Sequence, residues 1–316
     1  MPNPLVVVAA LLPVNPLSRE VIVSPNQIHF IRTELDRCAN MREQKQRINQ
    51  LKKFKTCHYV PVYKGNHIYP DSADEFHISP SSLGAENKQS FLGILNDELW
   101  FSCGLSEKEA HALETQLGCQ FESIRQYAMV LADDLAHIAL YSRGLDLWQR
   151  QKLYCSKCGT INHLESSGHK MVCENGHEQF PHIEPAVIVL ISKGDQCLLG
   201  RKHSWPPNVY STLAGFVEAG ESIEDAVHRE IYEESNVRIK NVTYFGSQPW
   251  PFPSSLMLAF NAEAVSDDIR LDDEMEDVRW FSKEELLKWS KDGSIILSPR
   301  FTVANNLISN FLGQKL

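Results

Sequence analysis

Three groups of residues have types and spacings that can do chemistry. The first is the run GFVEAGESIEDAVHREIYEESNV, from Gly215 to Val237. Gly220-Glu221-Ser222-Ile223-Glu224 marks a turn and a helix start, with acidic residues suited to the first-turn dipole. Ile223, Ala226, Val227 and Ile231 recur at helical spacing and give that helix an apolar face. Glu230, Glu233 and Glu234 stand at i, i+3 and i+4, so they share one face about a turn long. Like charges placed so cost roughly a few tenths of a kcal/mol per pair in an isolated helix. A hard divalent cation reverses the penalty, because Mg2+ and Mn2+ take carboxylate oxygens and substrate phosphates together. The plainer alternative is a solvated acidic helix face. Arg229 and Glu221 read as mainly architectural, an arginine–carboxylate fork tying the loop to the helix.

The second group is Cys155-Ser156-Lys157-Cys158 followed by Cys173-Glu174-Asn175-Gly176-His177. A C-x2-C knuckle with a second ligand pair about 15 residues later is zinc-ribbon spacing. A second C-x2-C would place Cys at position 176, where Gly stands. His177 is the obvious substitute, with His163, His169 and His182 as alternatives. Four filled positions leave none open, so such a zinc is structural and stabilises a segment too short to bury much core. The alternative is a set of reduced core thiols.

The third group is Ser247-Gln248-Pro249-Trp250-Pro251-Phe252-Pro253-Ser254-Ser255. Prolines alternating with aromatics exclude a helix and disfavour a central strand. The segment is expected to be a stiff loop that offers aromatic faces and polar edges to a ring ligand, or simply a rigid surface loop.

The 215–237 run fits G-x5-E-x7-R-E-U-x-E-E-x-G-U, where U is a bulky aliphatic residue, at every fixed position except Asn236, which replaces the last Gly. Asn is the next most tolerant residue of a positive φ, so the departure is mild. The run resembles the Nudix signature. With SQPWPFP downstream and the cysteine spacing upstream, the chain from about Arg125 onward resembles the NADH pyrophosphatase (NudC-like) branch of the Nudix hydrolase family. The resemblance implies an α+β protein. An N-terminal α+β domain (1–150) and a zinc ribbon (151–182) would precede a Nudix α/β/α sandwich (183–316). It implies catalytic Mg2+ or Mn2+ held by Glu230, Glu234, Glu274 and the backbone carbonyl of Ala214, with Glu233 in the same cluster; the general base is Glu233 or Glu234, Glu233 being the first choice. Phe216 and Phe180 would stack a nicotinamide or adenine ring. Ser247 through Ser254 would line the pocket, and Ala304 and Arg125 are also carried over. The implied reaction is hydrolysis of NADH or NAD+ at the pyrophosphate, giving NMNH and AMP from NADH, by a homodimer with the motif contributing across the interface. Removal of NAD caps from RNA 5′ ends is the alternative within enzymes, and a catalytically weak NAD(H)-binding sensor the alternative outside them.

The surrounding chain must position these groups. Ala186 to Ile191 is a continuous apolar run suited to a buried strand, returning through Gly194-Asp195 into Gln196–Leu199. Ser106 with Glu109 announces a helix start, Leu131 to Tyr154 reads as a long helix, and Arg42 to Lys55 as an exposed basic one. A net charge of −9 over 316 residues disfavours general binding of long RNA, although a local basic groove around 42–55 would allow it. Eight cysteines without a framework spacing suit a reducing compartment. The run Leu5–Leu12 lacks preceding basic residues and is too short to span a bilayer; it reads as a strand or an arm. Arg19 comes late for a mitochondrial presequence, whereas Gln314-Lys315-Leu316 differs from the peroxisomal S-K-L at one position. The cytoplasm or the peroxisome is therefore expected, without a membrane partner.

Overall fold

The computed structural model describes residues 33–69, 88–127, 131–271 and 273–314. The Leu5–Leu12 run and the last two residues of the C-terminal tripeptide lie outside these. No helix among the described residues is long and apolar enough to cross a membrane.

The N-terminal part is a five-stranded sheet made of β1 (Cys57–Tyr63), β2 (Asn66–Ile68), β3 (Lys88–Leu95), β4 (Glu98–Gly104) and β5 (Phe121–Glu122), in the order β3-β4-β1-β2-β5. Helix α1 (Lys45–Leu51) is shorter than the basic pattern suggests. It also buries Ile48 and Leu51, so it is anchored by two apolar residues rather than free in solvent. Helix α2 (Glu107–Leu117) begins at the expected capping box: the Ser106 N–H donates to Glu109 at 2.7 Å and the Glu109 N–H to the Ser106 hydroxyl at 3.4 Å. After α3 (Ile124–Tyr127), the 19-residue α4 (Asp133–Gln151) lays Ile138, Leu145 and Trp148 on Val60, Val62 and Trp100 of the sheet. Met171 and Phe301 join the same core, and Trp250 and Phe252 pack against it, which ties the N-terminal part to the rest of the chain.

A three-stranded antiparallel ribbon comes next, with β6 (Asn162–Glu165), β7 (Lys170–Cys173) and β8 (Glu178–Gln179). The third part contains β9 (Glu184–Lys193), β10 (Gln196–Lys202), β11 (Val209–Tyr210), β12 (Leu213–Phe216), α5 (Ile223–Ser235), β13 (Ile239–Trp250), β14 (Ser255–Ala264), β15 (Met275–Ser282), α6 (Lys283–Asp292), β16 (Ile296–Leu297) and α7 (Val303–Leu312). Its sheet runs β13-β14-β9-β10-β15, with β12 also paired to β9.

The unbroken apolar run in β9 reflects burial on both sides. Val187, Val189 and Ile191 face a core shared with Ala226, Val227 and Ile231 of α5. Ile188 and Leu190 face the opposite core, with Leu286 of α6 and Leu307 and Ile308 of α7. A strand covered by helices on both faces has no polar side to alternate with. This is the expected α/β/α sandwich. Ile223 departs from the apolar face read for α5: at the first helical position it remains 37% exposed, and the buried stripe starts at Ala226.

Candidate active site

The start of α5 is set by Ser222, whose hydroxyl accepts the Asp225 N–H at 3.1 Å, and its end by Asn236 at φ 61°. Asn236 therefore adopts the left-handed conformation that its Gly counterpart would provide, and its Nδ2 donates to the Asp268 carbonyl at 2.9 Å. Between these ends the acidic face of α5 lies beside β12. A Cβ added to Gly215 would overlap the Glu230 carboxyl group, so the glycine leaves the space that the carboxylate fills. The Ala214 N–H donates to Glu234 Oε2 at 3.2 Å.

Two cations hold the carboxylates together. Arg229 Nε and Nη2 grip the two oxygens of Glu221 at 2.7 and 2.8 Å, the fork expected from the sequence. Its Nη1 reaches Glu230 at 2.8 Å and Glu233 at 3.0 Å, and Nη2 also donates to the Phe216 carbonyl at 2.8 Å. On the other side Lys202, at the end of β10, lies 3.4 Å from Glu234 and pairs with Glu274. Glu230 and Glu233 thus gather around Arg229, and Glu234 and Glu274 around Lys202. Burial pushes the Glu234 carboxyl up to about 7, against the opposing pull of Lys202 and the Ala214 N–H. Glu230 is raised in the same direction, again by burial first, with Arg229 opposing.

Glu234 and Ala214 open into a cavity of about 220 Å3 whose apolar walls include Ile188, Met257 and Ala304 and which also reaches Gln248 and Trp250. The aromatic–proline segment that makes this wall is not all loop. Ser247 through Trp250 finish β13 and pair with β14, Pro249 opposite Leu256, and only positions 251–254 form the turn. The prolines are accommodated because β13 is at the edge of the sheet, where a missing N–H interrupts no second ladder. Gln248 is buried, and its amide is used by the protein itself. Nε2 donates to the Phe301 carbonyl at 2.7 Å and Oε1 accepts the Val303 N–H at 2.8 Å. It fixes the start of α7, and with it Ala304, against the pocket.

Residues 182–299 match the NUDIX domain family. The NAD-capped RNA hydrolase NudC of Pseudomonas aeruginosa (strain LESB58) is 40% identical over 200 residues, which cover 63% of this chain and 69% of that protein. The chain belongs to the NudC-like branch of the Nudix family. The NAD-capped RNA hydrolase NudC of Pseudomonas syringae pv. tomato is 43% identical over 173 residues, covering 54% of this chain and 62% of that protein. Against the NAD-capped RNA hydrolase NUDT12 of Homo sapiens the identity is 35% over 230 residues, covering 67% of this chain but 50% of the relative.

In this Nudix chain the remaining site residues are more dispersed. Phe216 ends β12 with its ring exposed, and Phe180, just after the ribbon, is exposed as well. Trp250 stacks on Phe301 with centroids 6.1 Å apart and contacts Phe252 at 4.9 Å. Phe252 turns away from the cavity toward the N-terminal part, where Arg125 and Arg143 cover it at 4.1 and 4.3 Å. Pro251 is buried and Pro253 exposed in the turn. Ser254 donates to Glu184 at 2.9 Å, and Ser247 pairs with Leu258.

The ribbon brings Cys155, Cys158, Cys173 and His177 together, with all four donor atoms within 4.8 Å of one another. Cys158 Sγ lies 3.7 Å from Cys173 Sγ, and Cys155 Sγ 3.6 Å from His177 Nδ1. Tetrahedral zinc with bonds near 2.3 Å to sulfur and 2.0–2.1 Å to nitrogen requires edges of roughly 3.5–3.8 Å. These two edges have that length, and the remaining ones are no longer than 4.8 Å. The alternative histidines are elsewhere: His169 accepts from Tyr141 at 2.6 Å, His182 lies 3.8 Å from Glu184, and His163 is exposed.

Lys202, Trp205 and Met257 of the site were not anticipated from the sequence. Nothing local marks Lys202. Only the β10–β15 register, which sets Lys202 opposite Met275 after a bulge, places it beside Glu274.

Proposed function

We propose that the chain hydrolyses the pyrophosphate of NAD-type dinucleotides, NADH and NAD+, releasing AMP and the nicotinamide mononucleotide. The observation that supports this reading is the continuity between carboxylates and pocket. The most buried carboxylate of the Nudix helix, Glu234, opens into the same cavity as Trp250 and Ala304. At about 220 Å3 that cavity suits one ring of a dinucleotide, with the phosphates at its acidic end. Relatives named as NAD-capped RNA hydrolases agree with the NAD moiety as the recognised group.

The donor set fits a hard cation: carboxylate oxygens of Glu230, Glu233, Glu234 and Glu274, and the carbonyl of Ala214, with no thiolate or imidazole among them. Bound there, Mg2+ or Mn2+ supplies neutralisation of the anhydride charge and acidification of water. The protein's own residues do the rest. Glu233, 55% exposed and held by Arg229, takes a proton from the attacking water. The water oxygen bonds to one phosphorus, the P–O–P bridge breaks, and the bridging oxygen leaves with the other mononucleotide. Phe216 and Phe180 stack the substrate rings, and a homodimer completes the pocket. Zinc held by Cys155, Cys158, Cys173 and His177 is structural.

A NAD-capped RNA 5′ end undergoes the same bond cleavage, and the names of the relatives favour it as a second substrate. A sensor that had lost hydrolysis would lack part of the acidic set, and every member is present. The test is Glu234→Gln. It is expected to lower kcat by several orders of magnitude on a panel of NADH, NAD+ and capped oligonucleotide, with thermal unfolding unchanged. Turnover near wild type would contradict the assignment.

A further inference from the structure

Trp250 also lines a second cavity, of about 470 Å3, between α4, the ribbon and the 249–256 hairpin. It has no part in the carboxylate chemistry, yet its walls are unusual for a structural gap. Arg37 stacks 4.1 Å over the Tyr141 ring, and its Nη2 lies 3.0 Å from His137 Nε2. Arg42 donates from Nη2 to the Tyr141 hydroxyl at 2.9 Å, and its Nε is buried without a hydrogen-bond partner. Neither guanidinium has a carboxylate partner among the described residues. Lys152 adds a third cation, and the one carboxylate among the described wall residues, Glu184, is engaged by Ser254 and lies near His182. Burial and the neighbouring Arg42 hold His169 down at about 4, so it stays neutral and accepts from Tyr141.

Two guanidiniums supply donors in the geometry that phosphate oxygens accept. Leu140, Trp148 and Ile183 supply apolar surface for a ring. The volume lies within the roughly 300–1,000 Å3 of small-molecule sites. We propose that this cavity binds a nucleoside 5′-phosphate. Two sources offer that chemistry: a free mononucleotide, or the nucleotide that follows the cap of a NAD-capped chain. Only the second source rests on the hydrolase reading. The shared Trp250 places the ligand next to the pocket that receives the dinucleotide.

The experiment titrates AMP calorimetrically into the full chain, without divalent cation, for wild type, Arg37→Gln/Arg42→Gln, and Arg42→Lys. The double variant is expected to lose one AMP site or at least roughly tenfold in its affinity, the loss of a charge-assisted hydrogen bond. Arg42→Lys, which keeps the charge, is expected to retain most of it. Should the double variant unfold, Gly144→Leu decides. Its side chain enters the cavity toward Pro251 without removing a polar group, and it is expected to abolish the same site. An AMP isotherm unchanged by both the double variant and Gly144→Leu overturns the proposal. The KM for a NAD-capped oligonucleotide then separates the sources. A selective rise in the double variant, with free NADH unaffected, identifies the RNA chain; no change beside a lost AMP site identifies the free mononucleotide. If wild type hydrolyses neither substrate, the hydrolase reading fails while the AMP titration still decides the cavity.

Discussion

Replacing Gly215 by alanine tests whether this glycine serves space or backbone conformation. Its φ lies outside the left-handed region, and it pairs in register with Val187 in β12, so alanine meets no backbone strain there. The obstacle is Glu230, whose carboxyl group occupies the volume a Cβ would take. To restore van der Waals contact near 3.5 Å the carboxylate has to retreat by more than about 1 Å. That movement strains its 2.8 Å bond to Arg229 and takes one donor out of the acidic cluster. A displacement of this size in catalytic geometry costs about 100-fold in rate. Stability should change by no more than about 1 kcal/mol, because the displaced atoms are the end of a flexible side chain rather than backbone. The assays are kcat on NADH with Mg2+, Mn2+ affinity by electron paramagnetic resonance without substrate, and thermal unfolding. Wild-type kcat and Mn2+ affinity in a folded Gly215→Ala chain would refute the reasoning.

Metal analysis of chain purified without chelator should give about one zinc per chain. Cys158→Ser should lose it and the hydrogen-exchange protection of residues 155–179 while the β9–β10 hairpin stays protected, since ligand binding supplies the folding energy of so small a segment. Gly144 lies inside α4, and a Cβ there would meet only Pro251, at an ordinary contact distance of 3.6 Å, so Gly144→Ala should stabilise the chain by roughly 0.5–1 kcal/mol in thermal or urea unfolding. His169 is held below its usual 6.5, at about 4, so between these values the unfolded chain binds the extra proton. Its contribution is therefore complete above pH 6.5 and is lost as pH falls toward about 4, with a slope of at most about 1.4 kcal/mol per pH unit. His169→Gln should flatten the pH dependence of stability in that window, and an identical slope in wild type and variant would exclude the assignment.

What could be read from the sequence was what short-range periodicity encodes. The acidic turn of α5, the capping box at Ser106 and the two-sided burial of β9 follow from spacings of 3.6 and 2 residues along one segment. The cysteine cluster followed from ligand spacing, although the choice of His177 over His163, His169 and His182 needed the ribbon's β6–β7–β8 pairing. Lys202 was out of reach because its role arises from a register between β10 and β15 that local sequence does not specify. The reading of Ser247–Ser255 as loop failed at both ends, where positions 247–250 finish β13 and Ser255 opens β14. Proline density disfavours a central strand, but whether a strand is at the edge is a property of the whole sheet. The helix read at 42–55 forms only over Lys45–Leu51, and its reading as exposed missed Ile48 and Leu51, because its charges were counted while these two decided its packing.

A cluster of glutamates has to exist before a cation arrives, and the electrostatics show how this chain sustains one. Arg229 makes five hydrogen bonds: two to Glu221, one each to Glu230 and Glu233, and one to the Phe216 carbonyl. Five is the full donor capacity of a guanidinium, so lysine with three donors from one point cannot replace it. Lys202 serves Glu234 and Glu274 in the same way. Two positive charges then stand against five carboxylates, Glu221, Glu230, Glu233, Glu234 and Glu274, leaving a deficit of three when all are ionised. Partial neutralisation keeps the helix face from repelling itself apart. One member of the set, Glu234, reaches the Trp250 pocket, where burial already raises it to about 7. A carboxylate so poorly solvated gains more from a divalent cation than an exposed one does, because water was stabilising it less. On the proposed reading, the same burial that makes the acidic face costly to fold is what would give it preference for the ion that a phosphoric anhydride requires.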